Sequence, residues 1–225
     1  MRTVLCILVL CANFTGNAQS DYQYGFLPSL NLNKKLENDW KLNLNIASRH
    51  EIKAGIFGEN ADAEYEYLLT DIAFVGSKKI GLYHNVAGGY QIRFREGAIF
   101  HRTIQQYITV HAYTGFRLSH RVAADQTFST ADKTAFRLRY RATGILPLNG
   151  NELDSKEWYV KTNAEYLNAI QSGVYDIELR LVPLLGYVFT DTNKIELGID
   201  YRLNSFLSAS PSHRFWWSIN WFVVL

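Results

Sequence analysis

Residues 213–225 read HRFWWSINWFVVL and end the chain. Taken as a strand, this stretch puts Phe215, Trp217, Ile219, Trp221, Val223 and Leu225 on one face, because successive side chains of a β-strand point to opposite sides. A row this apolar and aromatic, punctuated by tryptophan, fits a surface that meets lipid with indole rings at its interfaces. The stretch predicts a membrane-crossing β-strand and, around it, an all-β chain.

The other end of the sequence agrees. Met1 and Arg2 precede an apolar run from Val4 to Ala12, then Asn13 and the small-residue stretch Gly16-Asn17-Ala18. That order predicts a secretory signal over residues 1–18, removed near Ala18, and a single barrel domain over 19–225. The apolar run is too short for a transmembrane helix, which needs about 20 such residues, and no later stretch reaches that length without charges. Cys6 and Cys11 both fall in the leader, and Leu10 stands before Cys11 where a lipobox takes a small residue. The exported chain is therefore expected to form neither disulfides nor thiolate metal sites. With 23 Lys and Arg against 21 Asp and Glu, charge gives no basis for a nucleic-acid partner. No Pro-, Gly- or Ser-rich linker divides the chain.

From Gln19 onward the dominant period is two. Eleven segments show it, near 22–33, 40–52, 63–76, 80–94, 99–111, 116–128, 134–146, 157–168, 175–189, 194–207 and 213–225. Strands of soluble proteins usually have about 5 to 6 residues, whereas a tilted strand crossing a bilayer needs roughly 9 to 11. Tight turns are expected at 77–79, 113–115 and 191–193, and looser polar loops near 53–62, 129–133 and 208–212. Single-chain bacterial barrels have an even number of strands. An odd count implies a segment missed, split or not crossing, so the expected fold is an antiparallel up-and-down transmembrane β-barrel of about 10 to 12 strands.

The faces separate best in the C-terminal half. Phe136, Leu138 and Tyr140 alternate with Arg137, Arg139 and Arg141; Trp158 and Val160 with Lys161 and Glu165; Ile177, Leu179 and Leu181 with Glu178 and Arg180; Leu197, Ile199 and Tyr201 with Glu196, Asp200 and Arg202. Periodicity reads the same with the sheet turned inside out. In a soluble barrel the apolar face fills the core; in a membrane barrel it faces lipid and the charged face lines the lumen. Bulk favours the second, since Trp40, Trp158, Trp217, Trp221, Tyr140 and Tyr201 would crowd a small core yet suit an interfacial girdle. The expected lumenal set is Arg117, Arg121, Arg137, Arg139, Arg141, Lys161, Glu165, Glu178, Arg180, Glu196, Asp200 and Arg202. Between Tyr65 and Val75, and again between Phe100 and Val110, neither face is uniformly apolar, which predicts bulges or a less lipid-exposed position there.

Several stretches also resemble a known family. Leu118-Ser119-His120-Arg121 leading to Asp125-Gln126-Thr127-Phe128, then Phe136-Arg137-Leu138-Arg139-Tyr140-Arg141 with Pro147-Leu148 behind, is similar to the core of a Bacteroidota outer-membrane family, domain of unknown function 2490. Trp40 to Arg49, Asn163 to Glu165, and Arg180 followed by Gly186-Tyr187 and Ile195-Glu196-Leu197-Gly198 extend the resemblance over most of the exported chain. It implies an outer-membrane barrel with no established activity. Leu225 departs from the phenylalanine that often ends outer-membrane strands.

Chemically, the arginine ladder Arg137, Arg139 and Arg141 with Arg117 and Arg121 reads in two ways. Basic residues lining a lumen can select anions; alternatively they meet the carboxylates of neighbouring strands in ion pairs that fill it. A barrel this narrow, well below the 16 to 18 strands of porins, favours the filled lumen. Histidines 50, 84, 101, 111, 120 and 213 are scattered over six segments and read as interfacial or loop residues. Ser119 and His120 are strand neighbours on opposite faces, so they cannot act together, and whether Ser48 meets a histidine such as His111 depends on the fold. No nucleophile motif such as G-x-S-x-G occurs, and no dense His-Asp-Glu cluster suggests a metal. Gly88-Gly89 reads as a kink or a close approach to the wall, and Gln105-Gln106, Asn43 and Asn45 as polar lining. The expected function is an outer-membrane barrel with a structural, transport or receptor-like role. It uses no cofactor, meets membrane lipid and the barrel assembly machinery, and is not an enzyme. A lipid or lipopolysaccharide hydrolase and a secreted ligand-binding barrel are the alternatives.

Overall fold

A computed structural model describes residues 20–130, 132–207 and 210–225. The expected leader, with its cleavage point and both cysteines, lies outside the described residues. The period-two segments form eleven strands: β1 (Asp21–Lys35), β2 (Trp40–Ile56), β3 (Glu66–Lys79), β4 (His84–Arg95), β5 (Ala98–Tyr113), β6 (Phe116–Ser129), β7 (Ala135–Pro147), β8 (Trp158–Gln171), β9 (Val174–Thr190), β10 (Asn193–Asn204) and β11 (Ser212–Val224). Each pairs antiparallel with its chain neighbour, and β1 meets β11 to close the sheet into a barrel.

The even strand number expected from bacterial barrels does not hold. All eleven segments belong to the wall, and the odd count has a geometric consequence. In a meander of odd length the first and last strands run the same way, so closure requires one parallel pair. Here it runs from Asp21↔Ser212 to Asn33↔Val224 without a break.

Uncharged polar side chains line the inside of this seam and of the strand pair beside it. Across the seam Ser29 Oγ donates to Asn220 Oδ1 (2.6 Å), and Asn220 Nδ2 donates along β11 to Ser218 Oγ (2.9 Å). In the neighbouring β1–β2 pair, Asn45 Nδ2 donates to Asn31 Oδ1 (2.9 Å) and Asn43 Nδ2 to Asn33 Oδ1 (3.0 Å). Parallel ladders are slightly weaker per residue than antiparallel ones, and the Ser29–Asn220 bond adds a side-chain link across the one parallel pair.

The two rims follow from the connectivity. Leu225 shares its rim with the β1–β2, β3–β4, β5–β6, β7–β8 and β9–β10 connections; Asp21 shares the other with the remaining five. Short turns and long loops are not cleanly separated between the two rims. The connection at 148–157 is long yet lies at the Leu225 rim, while those at 96–97 and 172–173 are tight and lie at the other. The turn expected at 77–79 is strand, because Lys78 still pairs with Trp40 and Lys79 with Asn85.

Of the two stretches with mixed faces, the first holds a bulge. Arg49 pairs with Leu69 but His50 with Tyr67, leaving Leu68 unmatched in β3. A second irregularity lies beside it, where Gly25 faces Glu51. A Cβ on Gly25 would run into the His50 carbonyl and the Trp216 ring, so glycine is what lets β1 pass. The β5–β6 ladder, in contrast, runs unbroken from Phe100 to Tyr113. Its mixed pattern has another cause: Thr103, Gln105 and Gln126 point outward and hydrogen-bond one another. Gln105 is therefore an outer-surface residue and not lumen lining.

Polarity is inverted relative to a water-soluble barrel. Buried positions include Arg49, Arg102, Asp125, Glu165, Glu196, Asp200 and Arg202, whereas Phe74, Leu138, Leu181, Leu185, Leu197 and Ile199 are exposed on the outside. Trp217 and Trp221 are 56% and 52% exposed, while Trp216 between strand neighbours of opposite face is fully buried. A dry interior holding Trp217 and Trp221, which the secreted ligand-binding alternative requires, is therefore absent from this fold.

Candidate functional site

The barrel interior is built in layers of charge, each set by the strand register. β6 and β7 are in register with Arg121 opposite Arg141 and Asp125 opposite Arg137. Since alternate residues share a face, Arg137, Arg139 and Arg141 all point inward and need acidic partners from adjoining strands. Asp125 takes the first two: its carboxylate lies 2.6 Å from Arg137 Nη2 and 2.8 Å from Arg139 Nη2, with Arg102 Nε at 3.6 Å.

Glu165 takes the rest. Its Oε2 accepts from Arg141 Nε (2.7 Å) and Arg121 Nη2 (3.0 Å), and its Oε1 lies 3.2 Å from Arg180 Nη1. Arg180 also pairs with Glu178 two residues back on β9. Side-chain exposure is 0% for Asp125 and 1% for Glu165, so both carboxylates depend on these guanidinium groups in place of water.

Toward the Asp21 rim, Arg93 holds Asp71 through two hydrogen bonds (2.7 and 2.8 Å) and Arg202 holds Asp200 in the same way (2.8 and 2.7 Å). Arg49 is buried beneath them without an ion-pair partner among the described residues; its guanidinium sits 5.1 Å from the Trp216 ring centre. Toward the Leu225 rim, Glu196 accepts from Tyr159 Oη (2.7 Å) and from Lys161 Nζ (2.8 and 3.1 Å). Arg117 belongs to none of these layers and lines the mouth at that rim.

Such an interior binds charge to charge across its middle layers. Cavities open at the mouths, of about 640 and 580 Å³ at the Leu225 rim and about 180 Å³ at the other. Between them lie the Asp125 and Glu165 layers, together with the buried apolar side chains of Ile104, Ala123 and Leu167.

The outer face carries a second pattern. Tyr90 Oη bonds His101 Nδ1 (2.6 Å), Tyr201 Oη bonds His213 Nδ1 (3.0 Å), Tyr107 Oη bonds His84 Nδ1 (2.8 Å) and Tyr140 Oη bonds His120 Nδ1 (2.7 Å). In the ladders, His101 and His213 lie two residues beyond their tyrosines toward the Asp21 rim; His84 and His120 lie two residues beyond theirs toward the Leu225 rim. Two of these four hydroxyls thus turn toward each rim, and at mid-wall Tyr166, the ladder partner of Tyr140, sends its hydroxyl the other way, to Asn168. His111 stacks on Tyr83 at 5.0 Å, and His50 Nδ1 bonds Tyr65 Oη (2.9 Å). Trp40 and Trp158 start their strands at the Leu225 rim and Trp221 lies near it; Trp217, Tyr140 and Tyr201 sit deeper along the wall.

The family described as Protein of unknown function (DUF2490) matches residues 25–213, from the first strand to the start of the last. The chain belongs to the DUF2490 family. No curated protein and no solved structure matches it.

In this DUF2490 barrel the sequence reading missed Asp125 as the hub of the ladder, although it shares a face with Arg121 and follows it by an even number of residues. It missed Asp71, Arg93, Arg102 and Arg49, whose strands alternate less cleanly. It also missed the contact between Ser48 Oγ and His50 Nε2, at 2.9 Å. The spacing i, i+2 puts both on one face of a strand; His111, by contrast, is spoken for by Tyr83. Among the described residues, no group of three or more His, Cys, Asp or Glu side chains is placed to hold a metal ion.

Proposed function

We propose that this DUF2490 chain is a transmembrane β-barrel of an outer membrane, with a lumen sealed by ion pairs and a structural, transport or receptor-like role without catalysis. The observation that carries the reading is the inverted wall: Asp125, Glu165, Asp200 and Arg202 are buried inside it, while Leu138, Leu181, Leu197 and Trp217 are exposed outside. A wall facing water on all sides gains nothing by turning its apolar side chains outward, whereas one facing hydrocarbon does. The tyrosine and tryptophan rings on that outer face suit a bilayer interface, with their apolar bodies in hydrocarbon and a polar tip for the wet edge. Membrane lipid and the barrel assembly machinery are then its obligatory partners.

The test is electrophoretic mobility of the protein from purified outer membranes, with and without boiling in SDS. A heat-dependent shift supports the reading; recovery in a soluble fraction, with no shift, overturns it. Planar-bilayer recordings should then show no unitary conductance, because charged layers close the middle of the lumen.

The Ser48–His50–Tyr65 chain gives the hydrolase alternative its one foothold. A serine nucleophile needs its histidine oriented and stabilised as the imidazolium forms, the role a carboxylate fills in triads. Here a neutral phenol stands in that place, and the same Tyr–His contact recurs at four other histidines. The pairing is a device of the outer wall, and Ser48 is a hydroxyl satisfied by it.

A further inference from the structure

The mouth at the Leu225 rim has a charge pattern unlike the layers above it. Lys35 and Lys41 are direct partners in the β1–β2 ladder, in line with the inward-facing Asn33 and Asn43. Like charges placed directly opposite in a sheet repel unless something intervenes. In the lumen that something is a carboxylate: Arg121 and Arg141 face each other in the same way, and Glu165 bridges them. At the mouth, no carboxylate of the described residues forms an ion pair with Lys34, Lys35, Lys41 or Arg117, the nearby Glu37 and Asp39 included.

These cations surround one space. A cavity of about 640 Å³ is lined by Lys34, Lys35, Lys41, Arg117 and Lys194, with Phe222 in its wall and Leu153 of the 148–157 connection over it. Its single acidic lining residue, Asp191, is engaged by the Ser155 hydroxyl. Lys194 Nζ sits 4.8 Å from the Phe222 ring centre and 3.8 Å from Glu196, a carboxylate already bonded to Lys161 and Tyr159. Arg117 comes from β6, across the barrel from β1 and β2 in the strand order, so charges from both walls converge on the cavity.

We infer that this mouth binds a small soluble ligand carrying phosphate with more than one negative charge. The volume falls in the range of small-molecule pockets. Of the cations on the inward face, Lys35, Lys41, Lys194 and Arg117, three are lysines, point charges on flexible stems, which suit phosphate oxygens spread in several directions better than the planar fork that a lone carboxylate favours. The cavity lies within the mouth, on the opposite side of the wall from the apolar outer face, so it is reached from the aqueous phase. The inference goes beyond the membrane reading and does not depend on it.

Calorimetric titration of the folded barrel with inorganic pyrophosphate at low salt tests it, with circular dichroism certifying each variant. The double variant Lys35→Gln/Lys41→Gln should bind about tenfold or more weakly. Lys53→Gln/Lys133→Gln, which removes the same charge at the other rim, should bind like the parent. Arg117→Gln, on the opposite wall, should weaken binding as well and carries the test if the lysine pair proves necessary for folding. Absence of binding at millimolar pyrophosphate overturns the site, and so does an equal loss in both double variants, which would mean attraction by net charge alone. Because the titration works with or without detergent, its failure is separable from failure of the heat-shift experiment.

Discussion

Arg121 and Arg141 stand directly opposite each other across the β6–β7 ladder, and both donate to the same atom, Glu165 Oε2, at 3.0 and 2.7 Å. Two like charges in register are tolerated because a third strand delivers the opposite charge between them. With Arg180 on its other oxygen, Glu165 makes β6, β7, β8 and β9 depend on one buried carboxylate.

Glu165→Gln should therefore be among the most damaging single changes in the wall. It leaves three guanidinium groups facing one another, and breaking a buried ion pair by removing one partner costs about 3–5 kcal/mol. Urea unfolding of the refolded barrel measures it. A matched Glu165→Gln/Arg141→Gln variant should recover part of the loss; a Glu165→Gln midpoint equal to the parent's would show that the lumen is wet enough to solvate the arginines.

At the closing seam, Asn220 accepts from Ser29 across the parallel pair and donates to Ser218. Asn220→Ala should cost about 1–3 kcal/mol, the desolvation penalty of partners left unsatisfied in a partly buried ladder. The same substitution at Asn168, an outward residue of β8, should cost less. Side-by-side unfolding of the two variants decides whether the seam needs its amides.

Leu197 lies in the middle of β10 with its side chain outward, between Leu185 and Ile219 in register. If the wall faces hydrocarbon there, Leu197→Arg should destabilise the barrel by roughly 2–4 kcal/mol in lipid vesicles. In a barrel whose outside faces water the change would be near neutral, so an unchanged assembly yield in vesicles would contradict the membrane reading.

Much of this architecture could be read from alternation alone, and the exceptions are informative. The wall strands of the C-terminal half were visible because a clean period of two leaves each residue one face to occupy, as from Phe136 to Arg141. Strand parity was not visible, because whether eleven strands close depends on β1 finding β11, a contact between chain ends that no local pattern encodes. Gln105 was misassigned to the lumen because the Gln105-Gln106 pair offers either residue to either face. Which arginine meets which carboxylate was hidden for a related reason. Asp125 serves Arg137 and Arg139 only because β6 and β7 are aligned residue by residue, and register shifts of one would turn every side chain to the other face.

Ser48→Ala should leave any hydrolysis of short-chain p-nitrophenyl esters by the purified barrel at the buffer rate, as should the parent itself. The Ser48–His50 contact has no acidic orienting group, and catalysis without one or an oxyanion site falls far short of a working triad. Turnover by the parent that disappears in Ser48→Ala would restore the hydrolase reading and move the active site to the outer face near the Asp21 rim.

Trp216 and Trp217 are consecutive residues with opposite surroundings: the first is fully buried against Arg49, the second 56% exposed on the outer wall. Brominated lipid quenches indole only at short range, so in reconstituted vesicles the quenchable emission should come from Trp217 and Trp221 and not from Trp216. Trp216→Phe should leave the quenched intensity unchanged, whereas Trp217→Phe should reduce it. The Trp216→Phe variant should also fold, since the indole Nε1 it removes has no hydrogen-bond partner among the described residues. Absence of quenching in the parent would place the barrel outside the bilayer, and a loss in Trp216→Phe equal to that in Trp217→Phe would contradict the burial of Trp216 within the lumen.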